Sequence, residues 1–221
     1  MLTLGIDDAG RGPVIGPMIL AGCLIDDNTA KEFKKLGITD SKNLNPKKRE
    51  ILAEKIREKA EIFEIIIVSA PKIDKSNHNG TKLNEVEAIA CASIINKINK
   101  GFNKVKVIVD CPSVNIIKWT DFLKTKIKVL SNLEISCEHK ADKNHIAVSA
   151  ASILAKSIRE KEMTKIKKIY GNGVGSGYCS DPATKKFLEK YAIKHKDKGI
   201  FRKTWITWKN AHKKIKQKTL S

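Results

Sequence analysis

The chain has 221 residues, five scattered cysteines and a formal net charge of +19, from 43 lysines and arginines against 24 acids. This length suits one ordinary domain with its own core, and the charge favours a polyanion, with nucleic acid the leading candidate beside the plainer reading of a solvated lysine-rich surface. An odd cysteine count without a CxxC spacing argues against a disulfide scaffold or a zinc site, and an apolar stretch broken at Gly16, Pro17 and Gly22 is too short to cross a bilayer, so a soluble, cytoplasmic protein with reduced thiols is expected.

Leu2, Leu4 and Ile6 alternate with Thr3, Gly5 and Asp7, the period of a strand with two different faces. It runs into an acidic pair inside a glycine-rich turn, Gly5-Ile6-Asp7-Asp8-Ala9-Gly10-Arg11-Gly12-Pro13. Were the strand to continue, Asp8 would fall on the face of Leu4 and Ile6. Two carboxylates serving one site therefore require a bend, which Ala9-Gly10-Arg11-Gly12 permits. The same glycines let a ligand approach the peptide N–H groups, and Arg11 adds a fork of donors for phosphate or sugar. Met18 to Ile25 reads as a buried strand pairing back on the first, followed by a lysine-rich segment. Asp40-Ser41-Lys42-Asn43-Leu44-Asn45-Pro46 is a turn and helix-start signal leading into Ile51, Leu52, Ile56 and Ala60 at helical spacing.

Farther on, Glu64 to Val68 predicts a third strand, Asn77 to Gly80 a loop, Leu83 to Ile94 a second helix, and Lys104 to Val109 a fourth strand ending in Asp110. A helical or irregular link through Trp119 and Phe122 leads to a short strand near Leu133 to Cys137, then to Glu138-His139-Lys140-Ala141-Asp142. From Ile146 to about Ile169 the pattern is helical and rich in small residues. Trp205 and Trp208, at i, i+3 on an expected helix, read as core packing of the C-terminal element against the sheet rather than as base-stacking groups. The whole predicts an α/β domain with a mixed sheet, in which ligands gather where strand ends meet. The expected division is a catalytic domain over 1–208, including C-terminal helical elements, and a basic helix or tail over 209–221.

Asp110 ends an apolar strand and Asp142 precedes a helix of small residues, so both are candidates for the sheet edge that carries Asp7 and Asp8. Four carboxylates would then converge. Two unit charges about 4 Å apart repel by roughly 4 kcal/mol at an effective dielectric near 20, so such a cluster needs neutralising. All-oxygen ligands select hard cations, and two Mg²⁺ or Mn²⁺ ions suit in-line attack of water on a phosphodiester.

With these segments in place the chain resembles ribonuclease HII, the type 2 ribonuclease H, in an archaeal-like short form. The likeness is carried by the Gly5 to Pro13 turn, Asp40-Ser41-Lys42, Val107-Ile108-Val109-Asp110, His139-Lys140-Ala141-Asp142, the run Ala147 to Lys156 and Gly175-Ser176-Gly177-Tyr178-Cys179-Ser180-Asp181-Pro182, in the family's order. The resemblance implies a ribonuclease H-like fold with a C-terminal helical extension, and a metal-dependent endoribonuclease acting on RNA/DNA hybrids and on DNA duplexes containing ribonucleotides. It implies cleavage on the 5′ side of the ribonucleotide, with 3′-OH and 5′-phosphate products, for ribonucleotide excision and primer removal. Asp7, Asp8, Asp110 and Asp142 match the metal-binding and catalytic acids. Gly10, Arg11, Gly12 and Tyr178 match the elements that sense the ribose 2′-OH, and Ser41 and Lys42 match a segment near the substrate backbone. A monomer is expected, and a sliding-clamp contact is compatible with the resemblance but carried by no visible segment. One departure stands out: Asp8 occupies a position where the family usually has Glu. It leaves two readings open, an active enzyme with an altered metal preference, or a catalytically weak or inactive hybrid-binding protein.

Overall fold

The computed structural model describes residues 1–39 and 44–220. The first strand, β1 (Leu2–Ala9), pairs antiparallel with β2 (Met18–Ile25), Ile6 lying opposite Gly22 and Ala9 opposite Ile19. Every residue of β2 is buried, which explains its unbroken apolar sequence: it lies between β1 and β3 (Ile62–Val68), and a strand covered on both faces has no solvent side to make polar. On the other side of β1, β4 (Val105–Asp110) runs parallel, and β5 (Leu133–Glu138) runs parallel to β4. The sheet order is β3-β2-β1-β4-β5, so the five-stranded mixed sheet expected from the sequence is formed.

Helices also arise where none was predicted, over Asp27–Lys35, Ala70–His78 and Ala141–Asn144. Helix α1 (Asp27–Lys35) occupies the lysine-rich segment, started by Asp26, whose side chain accepts from Thr29 N at 2.7 Å, and anchored by the fully buried Phe33. Burial of one such ring contributes roughly 1.5–3 kcal/mol, enough to fix a short helix that otherwise faces water. Helix α2 (Pro46–Lys59) follows an Asn45 cap. Helix α3 (Ala70–His78) starts from Ser69, and α4 (Leu83–Ile98), α5 (Ile116–Lys124) and the short α6 (Ala141–Asn144) precede the long α7 (Ile146–Tyr170). A 3-10 turn (Asn172–Val174) leads to α8 (Pro182–Tyr191), capped by Asp181, and then to α9 (Ile206–Leu220).

The chain forms two compact units. One comprises Met1–Ala9, Ile19–Ile66 and Leu83–Ile158; its sheet carries α1, α2 and the first half of α7 on one face, where Ile19, Cys23, Phe33, Ile56, Ala151 and Leu154 form a continuous core. The other comprises Gly10–Met18, Ile67–Lys82 and Arg159–Ser221, with a core of Val14, Ile15, Val174, Phe187, Leu188 and Phe201. Trp208 lies in this second core and Trp205, just ahead of α9, packs on it.

Within the first unit the spacing of sheet and helix is fixed at Gly5. A Cβ there would lie 2.1 Å from the Ala147 carbonyl carbon and 2.2 Å from Val148 N. These are backbone atoms and cannot rotate away. Gly5→Ala is expected to lower unfolding free energy by about 3 kcal/mol or more, read from urea denaturation. Gly22→Ala, whose Cβ would meet the Ile94 side chain at 2.3 Å, is expected to cost less because a rotamer can yield.

Candidate active site

The two faces of β1 carry different partners. Gly5 abuts α7, and Ala9 belongs to the core that α7 shares, so the odd-numbered positions face α7. Gly22, opposite Ile6, points at Ile94 and Ile98 of α4, so the even-numbered positions face α4. Asp7 therefore faces α7 and Asp8 faces α4. The strand continues through both, with Asp7 paired to Ala21 and Asp8 to Leu20, and the chain turns only at Gly10, whose φ is +81°. The bend anticipated for the acidic pair thus comes after it, and the two carboxylates leave one strand end on opposite faces.

Asp110 joins Asp7. The parallel register sets Ile6 beside Val109, so one residue further on Asp7 neighbours Asp110. Ile108, two residues back on the same face, packs with Ala141 and Val148. Asp110 Oδ1 accepts from Ala141 N at 2.9 Å, which ties the end of β4 to the start of α6. Asp142, the next residue, is buried, and its carbonyl accepts a short hydrogen bond from the Ser149 hydroxyl. Lys140 turns the chain into α6 with φ +57°, a left-handed conformation that costs a non-glycine residue free energy and is held here by the surrounding contacts.

Electrostatics mark Asp7 as the centre of this group. Burial first, then the charges of Asp8 and Asp110, push its carboxyl well above the usual carboxylate range, while hydrogen bonds from the Ser152 side chain and the Asp8 N–H, the latter 2.7 Å from Oδ1, pull the other way. A buried carboxylate among like charges is a site for a cation. As they stand, no group of three or more His, Cys, Asp or Glu side chains among the described residues is spaced to hold one metal ion. The all-oxygen donor set fits a hard divalent cation.

The glycine-rich turn and Tyr178 lie in the second unit. Gly10 is tightly packed: a Cβ there would lie 2.2 Å from Arg159 Nε and 2.9 Å from the Pro17 carbonyl oxygen. Gly12 is exposed and a Cβ would meet nothing within 4 Å, so its backbone is open to approach. Tyr178 is 42 % exposed, with the Arg159 guanidinium 5.1 Å above its ring, and Arg159 also donates to the Ser176 carbonyl. Asp181 orders this loop by accepting from Ser176 N at 2.6 Å and Ser176 Oγ at 2.7 Å, bonds that lower its own carboxyl to a pKa of about 2. Ser41 and Lys42 lie outside the described residues.

Known proteins agree with this architecture. A family model described as Ribonuclease HII matches residues 4–208. This chain belongs to the ribonuclease HII family. A relative named Ribonuclease HII from Methanococcus maripaludis is 42% identical over 219 residues, covering 98% of this chain and 89% of its own length. The ribonuclease H2 structure from Pyrococcus horikoshii OT3 matches with a TM-score of 0.87 and 35% identity, over 98% of this chain and 100% of that one. A structure of the PCNA:RNase HII complex from Archaeoglobus fulgidus matches with a TM-score of 0.82 and 34% identity, over 95% and 96% of the two chains. The ribonuclease H-like fold, and a ribonuclease H-type hydrolase, are thereby shown.

Residues that bond to the strand-end acid in the first unit and to the loops of the second were not singled out by the sequence. Ser152 was grouped only among small helix residues, and Arg159 and Arg202 are two among 43 basic residues. The helical spacing of Ser149, Ser152 and Arg159 along α7 is the pattern that could have singled out Ser152 and Arg159.

The raised Asp7 carboxyl has a pH consequence. Because the folded form binds its proton more tightly than the unfolded chain, the contribution of Asp7 to stability in chelator is greatest below the ordinary value of 3.8 and falls as pH rises from there through the raised folded value. Asp7→Asn removes that slope. It is expected to melt above the parent at pH 7 in chelator and to converge with it in acid, as thermal denaturation across pH would show.

Proposed function

We propose that the protein is a divalent-metal-dependent endoribonuclease that hydrolyses the phosphodiester on the 5′ side of a ribonucleotide in RNA/DNA hybrids and at RNA–DNA junctions, leaving 3′-OH and 5′-phosphate ends. Its work would be excision of ribonucleotides from DNA and removal of primers. The observation that carries this is the buried Asp7 carboxyl held beside Asp8 and Asp110 at the strand ends. Family membership and the charge of +19 support a nucleic acid substrate.

In this reading Asp7, Asp8, Asp110 and Asp142 are the residues that would hold Mg²⁺ or Mn²⁺, as two ions when substrate is bound. The metal would supply activation of the attacking water and charge stabilisation at the leaving oxygen. The chain's own contribution is preorganisation. Ser152 and the Asp8 N–H orient the Asp7 carboxylate, and the Ala141 N–H orients that of Asp110. Gly10, Arg11 and Gly12 would present donors to the ribose 2′-OH, the group that separates RNA from DNA, and Tyr178 offers a half-exposed ring to a neighbouring sugar. Ser41 and Lys42 are assigned to the substrate backbone.

A DNA duplex with one ribonucleotide, incubated with Mg²⁺, Mn²⁺ or chelator, tests the proposal. Cleavage 5′ of the ribonucleotide only with metal, and none of an all-DNA duplex, is expected. Binding without cleavage in every metal would instead identify a non-catalytic hybrid-binding protein.

Asp8 sharpens the expectation. Its side chain leaves from the α4 face while Asp7 and Asp110 lie on the other, so a carboxylate one methylene shorter than Glu has farther to reach. Mn²⁺, with its larger and more tolerant shell, would support better turnover than Mg²⁺. Asp8→Glu is expected to raise Mg²⁺-supported kcat by about tenfold or more, up to the roughly hundredfold that a 1 Å misplacement can cost, and to narrow the gap between metals. Identical kinetics of parent and variant in both metals would sink the idea.

A further inference from the structure

Arg202 is among the largest fully buried side chains, and its guanidinium spends its donors on one short loop. Nη2 donates to the Gly10 carbonyl at 2.5 Å, Nη1 to the Arg11 carbonyl at 2.6 Å and Nε to the Gly16 carbonyl at 3.1 Å. Its own N–H donates to the Val14 carbonyl at 2.9 Å. Trp205, whose ring lies 5.1 Å from the guanidinium carbon, donates from Nε1 to the Gly12 carbonyl at 3.1 Å. The carbonyls of Gly10, Arg11 and Gly12 are thus all taken by two side chains from one segment.

That segment is itself clamped. The buried Asp74 of α3 accepts from Lys203 N at 2.7 Å, Thr204 N at 2.9 Å and Thr204 Oγ1 at 2.7 Å, and Asn77 donates to Thr204 Oγ1 at 3.0 Å. The guanidinium is therefore held from behind as well as by its carbonyl partners. Its planar fork is suited to several fixed acceptors, which a flexible ammonium cannot match.

The geometry has a directional result. In a trans peptide the carbonyl of one residue and the N–H of the next point in opposite directions. With the Gly10 and Arg11 carbonyls turned onto Arg202, the N–H groups of Arg11 and Gly12 are turned away from it. Gly12 itself is exposed, and even an added Cβ there would meet nothing within 4 Å.

We propose that Arg202, supported by Trp205, is the positioning residue that sets ribose discrimination: by holding the Gly10 and Arg11 carbonyls it fixes the direction of the Arg11 and Gly12 N–H donors, while Trp205 steadies the Gly12–Pro13 peptide, which has no N–H of its own, and neither touches nucleic acid itself. This rests on the reading of the Gly10–Gly12 backbone as the sensor of the 2′-OH. It predicts that weakening the clamp erodes the distinction between RNA and DNA sugars while leaving general affinity for the phosphate backbone intact.

The test compares the parent, Arg202→Lys and Trp205→Phe on two duplexes that differ only in one 2′-OH. Binding is measured in chelator, where both duplexes stay intact, and kcat and KM with metal. The parent is expected to prefer the ribonucleotide duplex. Arg202→Lys is expected to lose that preference and to fall about 10- to 100-fold in kcat/KM, the scale of charge-assisted hydrogen bonds, and Trp205→Phe about fivefold. Binding of the all-DNA duplex should stay within about twofold for both, since the phosphate contacts are untouched. A parent preference that survives in folded Arg202→Lys and in Trp205→Phe overturns this proposal alone. Should Arg202→Lys fail to fold, Trp205→Phe, which keeps the ring over the guanidinium and removes only the donor to Gly12, decides it. A parent without any preference for the ribonucleotide removes the sensor reading, and this proposal with it.

Discussion

The backbone of β1 at Gly5 and the first turn of α7 stand too close for a single added carbon, and the chemistry of the sheet edge depends on that contact. Asp7 follows Gly5 by two residues on the same face, so the spacing that excludes a Cβ at Gly5 also carries Asp7 against α7, within hydrogen-bonding reach of Ser152. The helix meets the sheet through Ala147, Ala150, Ala151 and Ala155, all buried. Larger side chains at these positions would lift α7 from the sheet and let water reach the carboxyl. Small residues here are thus an electrostatic device as well as a packing one.

That device has a cost which the fold accepts. Removing water from Asp7 penalises its charged form more than either neighbouring carboxylate does. A desolvated acid beside two others destabilises the folded chain at neutral pH until a cation compensates, the usual conflict between stability and a prepared site. The bonds from Ser152, the Asp8 N–H and the Ala141 N–H return part of this. They also fix the carboxylate planes, so that little reorganisation remains when a cation arrives.

How much of this was legible in the sequence depends on where each residue's partners lie. Asp7 and Asp110 could be placed at strand ends because the apolar alternation before each of them is long and regular, and β2 was evident from its unbroken apolar run. The same parity assigned Asp8 to the face of Leu4 and Ile6. The anticipated bend came two residues too late to bring it round, because pairing with Leu20 and Ile19 holds β1 extended through Ala9. Helices α1 and α3 were missed because few of their residues are buried, Phe33 alone in α1 and Ala70, Ile73 and Asp74 in α3, so solvent-facing polar residues hid the period. Arg202 was illegible for a different reason. Its acceptors are backbone carbonyls roughly 190 positions earlier in the chain, and a carbonyl leaves no mark in a sequence.

The two units thus solve different physical problems. In the sheet unit charge must be concentrated and kept dry, and side-chain identity is decisive: an acid at the strand end is either present or absent. In the second unit, under the proposed function, what matters is the direction of backbone donors, which every residue possesses. Substituting the residue that bears such a donor changes little unless its φ and ψ change. Specificity held this way resists drift at exposed positions such as Gly12, while the many surface lysines add affinity that is blind to the sugar. For these backbone donors, selectivity is then lost chiefly through the groups that orient the loop. That moves the constraint from the surface, where a ligand would be met, into the interior, where Arg202 and Asp74 are buried.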